Sequence, residues 1–275
     1  MKTHVITLLA ILGAAAPISQ AHELKKIWES APAFKVPESV LHDRARQVLY
    51  VSNIEGEPWA KDGHGSIGKL GLDGQVLAAE WVTGLDAPKG MALHGARLYV
   101  GDMDALVVID VDAGKIIERI AVPGAQGLND VTVDEHGVVY ASDSPGKKVY
   151  EVKDGHARPL LQNLKGPNGV LAHNGVLYVL DGEGLYRVAD GGQLTLICDG
   201  MSGGVDGVEP VGNGDFLVSC WRGAVHYVKA DGTRETLLDT QAQKIYSADI
   251  GYDPATRTVY VPTFFGNSVV AYTVK

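Results

Sequence analysis

The chain has 275 residues, with 34 Gly, 2 Cys, 45% hydrophobic and 21% charged residues, and a formal net charge of −9. So much Gly without a collagen triplet means many tight turns around a real core, and the apolar content excludes a disordered chain. The acidic balance excludes a nucleic-acid partner, which needs basic patches, and two cysteines cannot staple a fold of this length.

Lys2 opens the chain, Val5 to Pro17 is uncharged and mostly apolar, and Ser19-Gln20-Ala21 offers small residues where a signal peptidase reads. This predicts a secretory signal peptide over 1–21, cleaved after Ala21, and an exported, periplasmic or secreted single domain over 22–275. The apolar run is shorter than the roughly 20 residues a membrane helix needs, so no membrane span is expected. Next comes Leu24-Lys-Lys-Ile-Trp28, a short strand with no partner nearby in sequence.

Six segments then share one plan: an anchor residue, alternating apolar positions, a turn, and a strand reading Leu-Tyr-Val or close to it. They are PESVLHDRARQVLYV, PKGMALHGARLYV, LNDVTVDEHGVVYA, PNGVLAHNGVLYV, VDGVEPVGNGDFLV and SADIGYDPATRTVYV. Their strand positions Tyr50, Tyr99, Tyr140, Tyr178, Leu217 and Tyr260 lie 49, 41, 38, 39 and 43 residues apart. That period is the one of a four-stranded propeller blade. Further runs, such as Ala105–Asp110 and Lys115–Ile120 parted by Asp112-Ala-Gly114, supply the outer strands of antiparallel hairpins. The last unit ends at Val269–Val274 and lacks a fourth strand. Leu24–Trp28 is expected to fill it, closing an all-β, six-bladed β-propeller and removing a free sheet edge. Cys198 and Cys220 could form a disulfide in an oxidising compartment or stay as two buried thiols.

Aligning the six units puts Glu38, Lys89, Asn129, Asn168, Asp206 and Ala248 in one ring at the mouth of the central channel. Strand alternation would aim Val40, Met91, Val131 and Val170 deeper into the same channel. Glu38, Asn129, Asn168 and Asp206 are four oxygen donors from four blades. That donor set fits a hard divalent cation, Ca2+ first, with Mg2+, Mn2+ or Zn2+ as other occupants.

Glu38 ahead of Asp43…Leu49-Tyr50-Val51, Asn129-Asp130 with Asp134…Gly137, Pro167-Asn168-Gly169 and Val205-Asp206-Gly207 resemble the gluconolactonase/regucalcin family. Paraoxonases are more distant relatives of similar layout. The resemblance implies six blades around a divalent cation held by Glu38, Asn168 and Asp206, with Asn129 beside it on the substrate and Asp206 as general base. Two departures stand out. Gly127 occupies the position where family members often carry a sugar-binding Arg, and Lys89 puts a cation into the ring.

The activity expected is hydrolysis of a small-molecule lactone or ester, in which a metal-bound water attacks a carbonyl polarised by the metal. Asp206 or Asp130 would take the proton. Among the histidines only His64 falls on the mouth side, in a long loop from Asn53 to Ser66 that reads as a lid and also carries Trp59. Lys89 and Trp221 join Asn129 as candidate substrate contacts, and Asp102, Asp143 and Asp181 read first as turn formers. The alternative is a non-catalytic propeller that binds a ligand or protein around a structural ion. An interaction propeller of the NHL kind would carry basic or apolar rims, whereas this rim is acidic.

Overall fold

The computed structural model describes residues 21–275, and the expected signal peptide lies, apart from Ala21, outside the described residues. Twenty-four strands form six four-stranded antiparallel sheets. Five of these are consecutive in sequence, and the sixth consists of Gly251–Asp253, Thr258–Pro262 and Val269–Val274 with Leu24–Glu29 added at its outer edge. The predicted closure is therefore present: Leu24 pairs with Val274 and Glu29 with Val270, so the two ends of the chain complete one blade. The described helices are three 3₁₀ turns, Asp190–Gly192, Gln241–Gln243 and Phe264–Gly266, and none is long and apolar enough to cross a membrane.

The first strands of the blades are Pro37–Asp43, Pro88–His94, Leu128–Val133, Pro167–His173, Val205–Gly212 and Gly251–Asp253. Each touches the first strands of the blades on both sides, so these six line the central channel. Between blades the sheets bury apolar clusters, for example Leu106, Val108, Val131, Ala141 and Tyr150 between blades 2 and 3. Cys198 and Cys220 lie in one such cluster as free, buried thiols without a bond between them. Burial pushes the Cys220 thiol up to about 12, which keeps it protonated.

The axis is closed by a second, independent seam. The Asp249 amide donates to the Glu38 carbonyl at 2.9 Å, and the Val40 amide donates to the Asp249 carbonyl at 3.2 Å. At the perimeter Trp28 donates its indole N–H to the Leu72 carbonyl and packs against Tyr260 and the third-to-fourth turn of blade 1. Trp28→Ala removes a half-buried indole and leaves that carbonyl unmet. We expect a loss of ~2 kcal/mol and a fall in Tm of roughly 4–8 °C, read by thermal denaturation. An unchanged Tm would show that closure does not depend on this contact.

Candidate functional site

The first strands are not regular where the ring residues sit. Register breaks between Pro37 and Ser39, Pro88 and Met91, Leu128 and Val131, Pro167 and Val170, and Val205 and Val208. A bulge at this place re-aims the side chain it carries. The amides it frees find hydroxyl acceptors on the second strand: Ser39 N–H meets Ser52 Oγ, Asp130 N–H meets Ser142 Oγ, and Gly207 N–H meets Ser219 Oγ, at 2.8–2.9 Å. Val40, Met91, Val131 and Val170 join the interblade clusters and, in the direction expected from sequence, also line a cavity on the channel axis.

In three blades the segment leading into the ring strand is held by the aspartate that ends the second strand. Asp102 accepts the Asp86 and Ala87 amides, Asp143 those of Gln126 and Gly127, and Asp181 those of Lys165 and Gly166. The turn-forming role expected of these three aspartates is what the structure shows. Their carboxylates fix the approach of the chain to the channel mouth.

Glu38, Lys89, Asn129, Asp206 and Ala248 are all buried, and Asn168 is half-buried. Asn168 donates its amide to Asp206 Oδ1 at 2.9 Å, and Asn129 donates to Ser144 Oγ at 3.0 Å. Two buried oxygens of the ring, Glu38 Oε2 and Asn168 Oδ1, have no hydrogen-bond partner. Lys89 is 2% exposed, yet its Nζ makes no ion pair among the described residues and lies 4.3 Å from the centre of the Trp59 ring. No group of three or more His, Cys, Asp or Glu side chains among the described residues is arranged to hold a metal by itself. A cation here would need the Asn168 amide oxygen together with the Glu38 and Asp206 carboxylates.

One position further along the strands lies a second ring, which motif alignment did not single out. Its acids are Asp130 and Asp249. Both Asp130 oxygens are engaged at 2.7 Å, Oδ1 by the Val131 amide and Oδ2 by the Val170 amide of the next blade. Asp249 Oδ2 accepts the Ser39 hydroxyl at 2.5 Å. Glycine makes room for both: a Cβ on Gly90 would lie 2.3 Å from Asp130 Oδ1, and one on Gly207 would lie 2.3 Å from Asp249 Oδ1. Below this ring the channel holds a cavity of about 200 Å³, lined by Ser39, Asp130, Thr132, Glu209 and Asp249 among apolar residues. It lies toward the first-to-second turns, away from the mouth.

Burial dominates the protonation of this axis. It raises Glu38 to about 8, with Asp249 adding to the rise and Lys89 opposing it. It lifts Asp206 well above the usual carboxylate range, helped by Glu38 and Asp249, and Asp249 to about 7. Burial also raises Asp130 and lowers the Lys89 ammonium, whose fall Glu38 and Asp206 oppose.

The remaining sequence candidates fall on the rim. The His64 side chain is 67% exposed, and its one polar contact is Asp62 Oδ2 at 3.7 Å, so it does not join the ring. Trp221 packs against Tyr246, Phe264 and Phe265 in an aromatic cluster. The loop from Ile54 to His64 reaches the mouth through Trp59 and Lys61. Its Trp59 lies over Lys89 and fills the space beside Gly127, where a Cβ would sit 2.6 Å from the indole. Lys61 of the loop pairs with Asp104 on blade 2 at 2.6 Å. Trp59 is thus a site residue that spacing alone did not assign.

No family model and no curated protein sequence matches the chain. Solved structures do. A protein named as a candidate gluconolactonase is similar over 94% of this chain and 93% of its own, at 18% identity and a TM-score of 0.71. A streptogramin B lyase is similar over 93% and 98%, at 13% identity and a TM-score of 0.66. A chain of a nidogen/laminin complex is similar over 79% and 84%, at 20% identity and a TM-score of 0.67. These likenesses bear out the propeller fold.

The protonation pattern carries a sign that can be measured. In chelator, folded Glu38 and Asp249 keep protons up to about 8 and about 7, against ordinary values of 4.5 and 3.8 in the unfolded chain. The folded state then binds more protons across that window. This stability is fully present below the unfolded values and is lost as pH rises through the folded ones. We expect the Tm of chelated protein to fall between about pH 5 and about pH 8, and added Ca2+ to flatten the fall. A chelated Tm that rises over this range would contradict the buried, proton-holding ring.

Proposed function

We propose that the channel mouth is a hydrolytic site for a small lactone or ester in an exported protein. One observation carries this: Glu38 Oε2 and Asn168 Oδ1 are buried without partners in the same ring as Asp206. A buried oxygen left without a donor costs about 1–3 kcal/mol, more if charged, so two in one ring point to a ligand that satisfies both. Oxygen donors without His or Cys fit a hard cation of the calcium kind. Such an ion, held by Glu38, Asn168 and Asp206, would supply carbonyl polarisation and a more acidic water.

The chain's own residues supply the rest. Asp206 has one oxygen fixed by Asn168, which orients its carboxylate to take the proton of an attacking water. Asn129 stands in the same ring with its amide oriented by Ser144, and would lie beside the ion to touch a bound substrate. Asp130 is tied into the backbone of two blades through both oxygens, so positioning suits it better than proton transfer. Trp59 offers an aromatic face at the mouth beside Lys89. The neighbour named as a candidate gluconolactonase supports the class of reaction. A binding propeller is favoured by a different observation, the exposure of Trp59, Ile245 and Phe265, and by the neighbour from a nidogen/laminin complex.

A screen of lactones and aryl esters, with and without chelator, separates the two. We expect metal-dependent turnover that falls by about 10²–10⁴-fold in Asp206→Ala, the usual worth of a general base. Thermal shift tests the ion independently: Ca2+ should raise the Tm of wild type and leave Glu38→Ala unmoved. A calcium shift without turnover on any substrate would leave a binding propeller with a structural ion.

A further inference from the structure

Lys89 is the ring residue whose surroundings do not account for it. Its side chain is buried at the channel mouth, where an uncompensated charge is costly. Glu38 and Asp206 are near enough to affect its ionisation, yet no carboxylate oxygen pairs with the ammonium among the described residues. The contact it makes is with the face of Trp59, 4.3 Å from the ring centre. That contact stabilises a cation by about 0.5–2 kcal/mol and does not neutralise it. Trp59 in turn is seated by Gly127, since any side chain there would collide with the indole at 2.6 Å.

The ammonium is therefore held off from the ring carboxylates and against an aromatic wall. Its position leaves Glu38 Oε2 free, which the proposed cation needs. With that cation in the ring, two positive centres would face one space under the lid. A small anion between them is the charge arrangement that satisfies both.

On these grounds, and resting on the hydrolase reading above, we infer that Lys89 and Trp59 form an anion subsite. The substrate class is then a lactone or ester that bears a carboxylate beside the scissile group. Lys89 binds that carboxylate, Trp59 covers the ring carbons, and the carbonyl is directed to the Glu38–Asn168–Asp206 side.

The test is a binding measurement that does not depend on turnover. 3-Oxocyclopentane carboxylate and its carboxamide, which carry a ketone where the lactone ester would be, are titrated into calcium-loaded protein by calorimetry. We expect the carboxylate to bind at least about tenfold more tightly than the amide, and Lys89→Met to abolish the preference. Trp59→Phe, which keeps an aromatic face, should retain most of it. If Lys89→Met does not fold, the salt dependence of wild type decides: carboxylate affinity should weaken with ionic strength, and amide affinity should not. Equal affinity for the two probes, binding of neither, or a preference that survives Lys89→Met would overturn the subsite. A strong carboxylate preference with no turnover on any carboxylated lactone would overturn the hydrolase reading and leave the anion subsite standing.

Discussion

Carboxylates buried at the axis are the constraint around which this propeller is built. Glu38, Asp130 and Asp206 lie on the first strands of three blades and Asp249 just ahead of that of a fourth, all out of water, where an ionised acid is costly. The surrounding chain compensates in distinct ways. Asp130 is satisfied by two backbone amides, Asp249 by a serine hydroxyl, and Asp206 by the Asn168 amide. Glu38 keeps one oxygen with nothing to bind. That residual deficit, on top of the unmatched Asn168 oxygen, is the physical root of the proposed ion site.

Much of the local architecture serves to hold these groups in place. Bulges in the first strands aim the ring side chains inward, and serines on the second strands accept the amides that the bulges free. Aspartates at the ends of three second strands clamp the chain just before Lys89, Asn129 and Asn168. Glycines at 90 and 207 leave space for the acids of the following blades. Closure is secured twice, at the perimeter by pairing of the chain ends and at the axis by the Glu38–Asp249 backbone seam. A rigid ring of this kind suits a site that must keep several donors in fixed relation. The rim differs: its loop is pinned by an exposed ion pair and covers the ring with one indole.

Blade count, closure and the six ring positions were legible in sequence because the repeat recurs at nearly constant spacing and strand patterning has a period of two. Asp102, Asp143 and Asp181 were legible as turn formers for the same reason. The bulge was not, since it leaves no mark in hydrophobic alternation. Asp249 escaped notice because Ala248 took the ring position in its unit. Its equivalence with Asp130 would have been the available signal. His64 shows the converse: a loop position on the correct face did not bring the imidazole to the ring.

Amino-acid order alone is enough to give the number of blades, the strand that closes them and the residue types that face the mouth. Each follows from repetition and from which side chains prefer water. Which oxygens are left unpaired, how Trp59 meets Lys89 across Gly127, and which acid is tied to backbone were decided only by tertiary structure. Those features depend on contacts between blades tens of residues apart, and no local pattern encodes the distance between two side chains that meet across a channel.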